Sequence, residues 1–116
     1  MASAEEVRDS LVSFAESCNE NAQLRIMNKD WNRTIDIHAT DHDANFTLLS
    51  QDGQVTVADG KPAVADMVVE AEAELLTQIF YGEVSPTEPY NDGSLTVHGA
   101  EQDVLHLDFI TAILWG

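Results

Sequence analysis

A chain of 116 residues with 44% hydrophobic and 7% aromatic content has room for one core and too little for two. Twenty-one Asp and Glu face five basic residues, for a formal net charge of −16, which excludes nucleic acid and stable anionic-membrane association because no basic stripe exists to meet phosphate. The lone cysteine, Cys18, excludes a disulfide framework and a zinc knuckle, so one disulfide-free domain spanning 1–116 in a reducing, cytoplasmic setting is expected.

Residues 3–27 predict two helices. Ser3 and Glu6 form a capping box, and Val7, Leu11, Phe14 and Cys18 recur at helical spacing. A second, short helix covers 22–27 and ends at Asn28-Lys29-Asp30. From Trp31 the period changes to two. Ile35, Ile37 and Ala39 alternate with Thr34, Asp36 and His38, and Phe46 and Leu48 flank Thr47. Asp52-Gly53 then turns the chain into Val55-Thr56-Val57, Asp59-Gly60 precedes a fourth strand at 66–71, and Leu95 and Val97 mark a fifth. Threonines opposite the apolar set in four of these runs predict a sheet packed on one face and wet on the other.

Helices should cover the apolar face. Ala73–Tyr81 carries Leu75, Leu76, Ile79 and Phe80 and stops at Gly82. Ser85-Pro86-Thr87-Glu88 reads as a cap with Pro at the first helical position, and Pro89 confines that helix to about one turn. The last helix, 101–115, has two apolar arcs, Leu105, Phe109, Ala112 and Ile113 on one and Leu107, Ile110 and Leu114 on the other, so it needs two partners. The predicted class is α+β, with a five-stranded, mostly antiparallel sheet and helices on one face.

Several residues in that order resemble the sterol carrier protein type 2 domain. They are Asp52-Gly53 and Asp59-Gly60 around a Val/Thr strand, Ala65-Asp66-Met67-Val68-Val69 ahead of a helix, Ile79-Phe80-Tyr81-Gly82-Glu83-Val84-Ser85-Pro86, and Gly93-Ser94-Leu95-Thr96-Val97-His98-Gly99. The resemblance covers about residues 30–110. It implies an apolar tunnel between sheet and helices that holds a fatty acid, fatty acyl-CoA, sterol or isoprenoid-like lipid, without catalysis. One arc of the last helix would then line the tunnel, with Leu76, Ile79, Phe80, Leu105, Phe109 and Ile113 as the expected wall. Burying about fifteen methylenes is worth up to ~12 kcal/mol, and micromolar affinity needs only about 8. The chain ends at Trp115-Gly116 without a peroxisomal address, in keeping with a cytoplasmic expectation.

Two other functions compete. An accessory or interaction module of a lipid or quinone enzyme would use the second arc for dimerisation or partner binding. A small enzyme would need a base such as Asp108 in the tunnel. No cofactor motif is present. His38, Asp41, His42 and Asp43 have metal-ligating chemistry, but strand positions four apart lie ~13 Å from each other, so no metal site is expected unless the chain turns sharply. Cys18, on a buried helical face, reads as an inert core thiol.

Overall fold

The computed structural model describes residues 2–115. Helix α1 (Ala4–Glu20) starts at the Ser3–Glu6 capping box, and α2 (Ala22–Met27) starts where Asn21 accepts a bond from the Leu24 amide. The strands are β1 (Arg33–Ala39), β2 (Ala44–Gln51), β3 (Gln54–Asp59), β4 (Met67–Ala71) and β5 (Thr96–Gly99). Helices α3 (Ala73–Phe80) and α4 (Thr87–Asp92) lie between β4 and β5, and α5 (Glu101–Trp115) ends the described chain.

The sheet has the order β3-β2-β1-β4-β5. All neighbours are antiparallel except β1 and β4, which run parallel, so the sheet is mixed. Alternation decides its faces. Val57, Leu48, Ile35 and Met67 form one row of register partners, and Phe46, Ile37, Val69 and Val97 are drawn from the next. These rows belong to the core, which also takes Leu11 and Phe14 of α1, Leu76 and Phe80 of α3 and Ile110 of α5. The Asp52-Gly53 turn has positive φ at both residues, +53° and +82°, which is the two-residue hairpin that matches strand twist.

The second face is less uniformly wet than alternation suggests. The connection from β3 to β4 brings Lys61, Pro62, Ala63 and Ala65 beside Asp36, His38, Val68 and Glu70. Asp36 is buried there and accepts a bond from Asn45 Nδ2 at 2.8 Å. A parallel β1–β4 pair requires such a crossover, whereas a hairpin would have made the pair antiparallel.

Helix α3 ends in a Schellman closure. The Gly82 amide donates to the Ile79 carbonyl at 3.0 Å and the Glu83 amide to Gln78 at 2.8 Å. Gly82 has φ +79°, and a Cβ there would stand 2.5 Å from the Trp115 ring, so this position must be both left-handed and bare. Helix α4 begins one residue later than its sequence suggests, with Pro86 as the N-cap, and runs six residues. Pro89 occupies the third helical position, where the missing amide would have had no intrahelical partner, so it does not end the helix. Gly93, at φ +89°, does.

Candidate functional site

Helix α5 is held along one flank. Asp103, buried in its first turn, accepts from Trp31 Nε1 and Arg33 Nε, each at 3.0 Å. His106 stacks on Trp31 with ring centroids 3.9 Å apart and donates through Nε2 to Asn28 at 2.6 Å. Burial holds the His106 imidazole below its usual pKa, opposed by the nearby Asp103 carboxylate, so it is the neutral form that this packing favours. Ile110, one turn on, is buried in the core.

The opposite flank of α5 stands over a half-open cleft of about 340 Å3. Its floor is the β4–β5 end of the sheet, Val69 and Val97, with Leu95 just before β5. Ile79 and Phe80 close one end from the last turn of α3. Pro86, Thr87 and Tyr90 come from the α4 segment, and Val104, Leu105, Leu107, Thr111, Glu101 and Asp108 from α5. The wall is predominantly apolar, and its volume lies at the small end of the ~300–1,000 Å3 typical of small-molecule sites. It is partly open to the surface, whereas the sequence predicts a tunnel.

The six residues expected to form the wall separate into two groups. Ile79, Phe80 and Leu105 line the cleft. Leu76 is fully buried in the core, Ile113 packs against the core from its edge, and Phe109 is 58% exposed. The arc of Leu107, Ile110 and Leu114 packs inward, with Leu107 also reaching the cleft, whereas the arc expected to line it touches it only through Leu105 and turns Phe109 outward. Val69, Leu95, Val97, Val104, Leu107 and Tyr90 were not expected in the wall. The covered-face alternation already places Val69 and Val97 together; which end of the sheet stays uncovered depends on where α3 and α4 stop.

The His/Asp-rich turn does other work. Asp41 Oδ1 accepts from the Ala73 amide at 2.9 Å, capping α3, whose own Glu72 supplies no side-chain cap. His42 Nε2 donates to the Ala2 carbonyl. His38 lies between Glu70 (2.9 Å from Nδ1) and Asp43 (3.2 Å from Nε2), on the sheet face away from the cleft. Among the described residues no group of three or more His, Cys, Asp or Glu is arranged to hold a metal ion, and no helix is long and apolar enough to cross a membrane.

Comparison with protein-family models matches residues 14–110 to the SCP-2 sterol transfer family. The chain belongs to this family. The match spans every strand and stops inside α5, so it includes the cleft floor and most of its walls. Comparison with curated proteins found no match. Among solved structures, the chain is similar to the sterol carrier protein domain 2 of Helicoverpa armigera, with a TM-score of 0.77 and 11% identity over 97% of this chain and 92% of that one. It is also similar to a UbiJ-SCP2 ubiquinone synthesis protein (TM-score 0.70, 18% identity, 98% of this chain and 95% of that one). A third likeness is to the sec-alkylsulfatase Pisa1 from Pseudomonas sp. (TM-score 0.63, 17% identity), where 79% of this chain corresponds to 14% of that one. At these identities the likenesses establish the fold, and the mixed sheet with its helices is the fold of sterol carrier protein domains.

Proposed function

We propose that this chain is a non-enzymatic carrier that holds the hydrophobic part of a lipid in the cleft between α5 and the β4–β5 end of the sheet. The observation that carries the reading is the cleft itself: about 340 Å3, with Val69, Val97, Ile79, Phe80 and Leu107 in its wall. Membership of the SCP-2 sterol transfer family supports the same ligand class. Each methylene that enters is worth about 0.8 kcal/mol, so ten or so suffice for micromolar binding without a directed polar contact. The experiment is a native mass spectrum of protein purified without delipidation, followed by organic extraction. A stoichiometric lipid adduct, lost in Leu105→Asp with the circular dichroism unchanged, is the expected result. A mass that stays unliganded after incubation with a fatty acid, a sterol and a prenyl alcohol would overturn the reading.

A second reading is favoured by the outward arc of α5. Leu105 and Phe109 are 50% and 58% exposed, and they suit an accessory module docking on a protein, as a homodimer or on an enzyme of lipid or quinone metabolism. The similarity to a ubiquinone synthesis protein supports it. Sedimentation of the native chain and of Phe109→Asp separates the two: a dimer lost in the variant, with lipid uptake intact, would favour the module.

A further inference from the structure

The cleft is apolar in its depth and carries charge of one sign. Its lining holds two carboxylates, Glu101 and Asp108, and none of the chain's five basic residues. Two of those cations are already paired elsewhere: Arg8 with Asp59 at 2.9 Å, and Arg33 with the buried Asp103 at 3.0 Å. Arg25, Lys29 and Lys61 lie on α2, on the turn after it and on the β3–β4 connection, away from the cleft lining. A lipid whose tail sits among Val69, Val97 and Phe80 leaves its head toward the polar part of the lining, and among the described residues no cation lines the cleft to receive an anionic head.

One group could have served instead. The N-terminus of α5 borders the cleft at Glu101, and free amides at a helix start attract anions. Here Glu101 occupies that first turn beside the cleft, while Asp103, on the other flank, is paired with Arg33, so the carboxylate at the positive end of the helix on the cleft side is the chain's own. The remaining polar groups suit an uncharged head. Thr111 Oγ1 is committed to the Asp108 carbonyl, whereas Tyr90, half-exposed, brings a phenolic hydroxyl able to donate to and accept from a hydroxyl or carbonyl.

We infer that this cleft selects an electroneutral lipid, such as a prenyl alcohol, quinone, sterol or ester, and rejects fatty acids and acyl-CoA, with Glu101 and Asp108 as the discriminating residues. The inference rests on the lipid-binding reading. Both carboxylates are exposed, so their repulsion acts through water and salt weakens it.

The test uses two fluorescent probes with the same chain and different heads, cis-parinaric acid and its methyl ester, titrated into the full protein at neutral pH. The ester is expected to bind about tenfold more tightly at low salt, the effect of roughly one like charge held near the head. The gap should narrow at about 1 M salt, where the screening length falls to about 3 Å, and again in Glu101→Gln/Asp108→Asn, chiefly through tighter binding of the acid. Acid binding as tight as ester binding in the native chain would overturn the inference and leave the carrier reading standing. Binding of neither probe would remove the carrier reading, and this inference with it. The salt titration needs no variant, so the outcome does not depend on how the substituted chain folds.

Discussion

His38 shows how one side chain ties three segments together. Its two ring nitrogens face Glu70 of β4 and Asp43 of the β1–β2 turn, and His98 of β5 stands 3.7 Å from the same Glu70. The bond to Glu70 is the main cause that raises the His38 pKa, desolvation works against it, and Asp43 adds to the rise; Asp36 and Lys61 border the same hollow. Since the folded-state pKa lies above the unfolded value of about 6.5, the contribution to stability is complete below that value and is lost as pH rises through the folded pKa. The stability difference between the native chain and Glu70→Gln, read by urea melts, is therefore expected to shrink from pH 6 to pH 9. A constant difference would mean that the charge on His38 does not change with pH over this range. A nuclear magnetic resonance titration of the His38 ring, with a midpoint above that of a free imidazole, checks the same point directly.

At the scale of elements, α3 and α5 predict opposite responses to substitutions that look alike in sequence. Leu76→Ala removes a fully buried side chain of α3 from the core and should cost about 2–5 kcal/mol in a denaturant melt. Phe109→Ala, on an exposed helical surface, should change stability by about 0.5 kcal/mol or less. Equal losses would mean that α5 is turned about its axis from the arrangement described here. The contrast also marks how far the sequence was legible. The strands were readable because Ile35, Ile37, Phe46, Leu48 and Val69 alternate strictly, and the β2–β3 hairpin because Asp52-Gly53 supplies two positive φ values. The facing of α5 was not, since its two arcs are nearly equal in hydrophobicity and periodicity alone cannot rank them. What ranks them is Asp103 pairing with Trp31 and Arg33, residues some seventy positions earlier. The cap of α3 was hidden for the same reason, because it comes from Asp41 and not from the residue preceding the helix. The parallel β1–β4 pairing likewise follows from a crossover whose path no local pattern encodes. Half of the expected wall failed to reach the cleft because helical spacing identifies apolar faces without saying which neighbour each one meets.

At the scale of the whole molecule, charge works against compactness. A net charge of −16 on a domain with a radius of gyration of 12.8 Å concentrates like charge, and folding brings those charges closer than they are in the open chain. Screening should relieve this. The urea midpoint is expected to rise between low salt and about 1 M sodium chloride, with most of the gain complete once the screening length drops below the spacing of surface carboxylates. A midpoint that falls with salt would point instead to the Arg8–Asp59 and Arg33–Asp103 pairs as the dominant electrostatic contribution.

Cys18 has a practical consequence for all of these measurements. It sits in the core face of α1 and burial pushes its thiol up to about 12, so in the folded state it is shielded and almost never a thiolate. Because it is the chain's single sulfhydryl, a maleimide can react only when α1 lifts or the domain opens, and the labelling rate becomes an internal clock for that opening. A molecule that binds the closed form alone slows the clock by the factor one plus its concentration over its dissociation constant. Occupancy of a site on one side of the fold can thus be timed from a single sulfur atom on another, with no chromophore on the ligand and no label on the protein until the moment it unfolds.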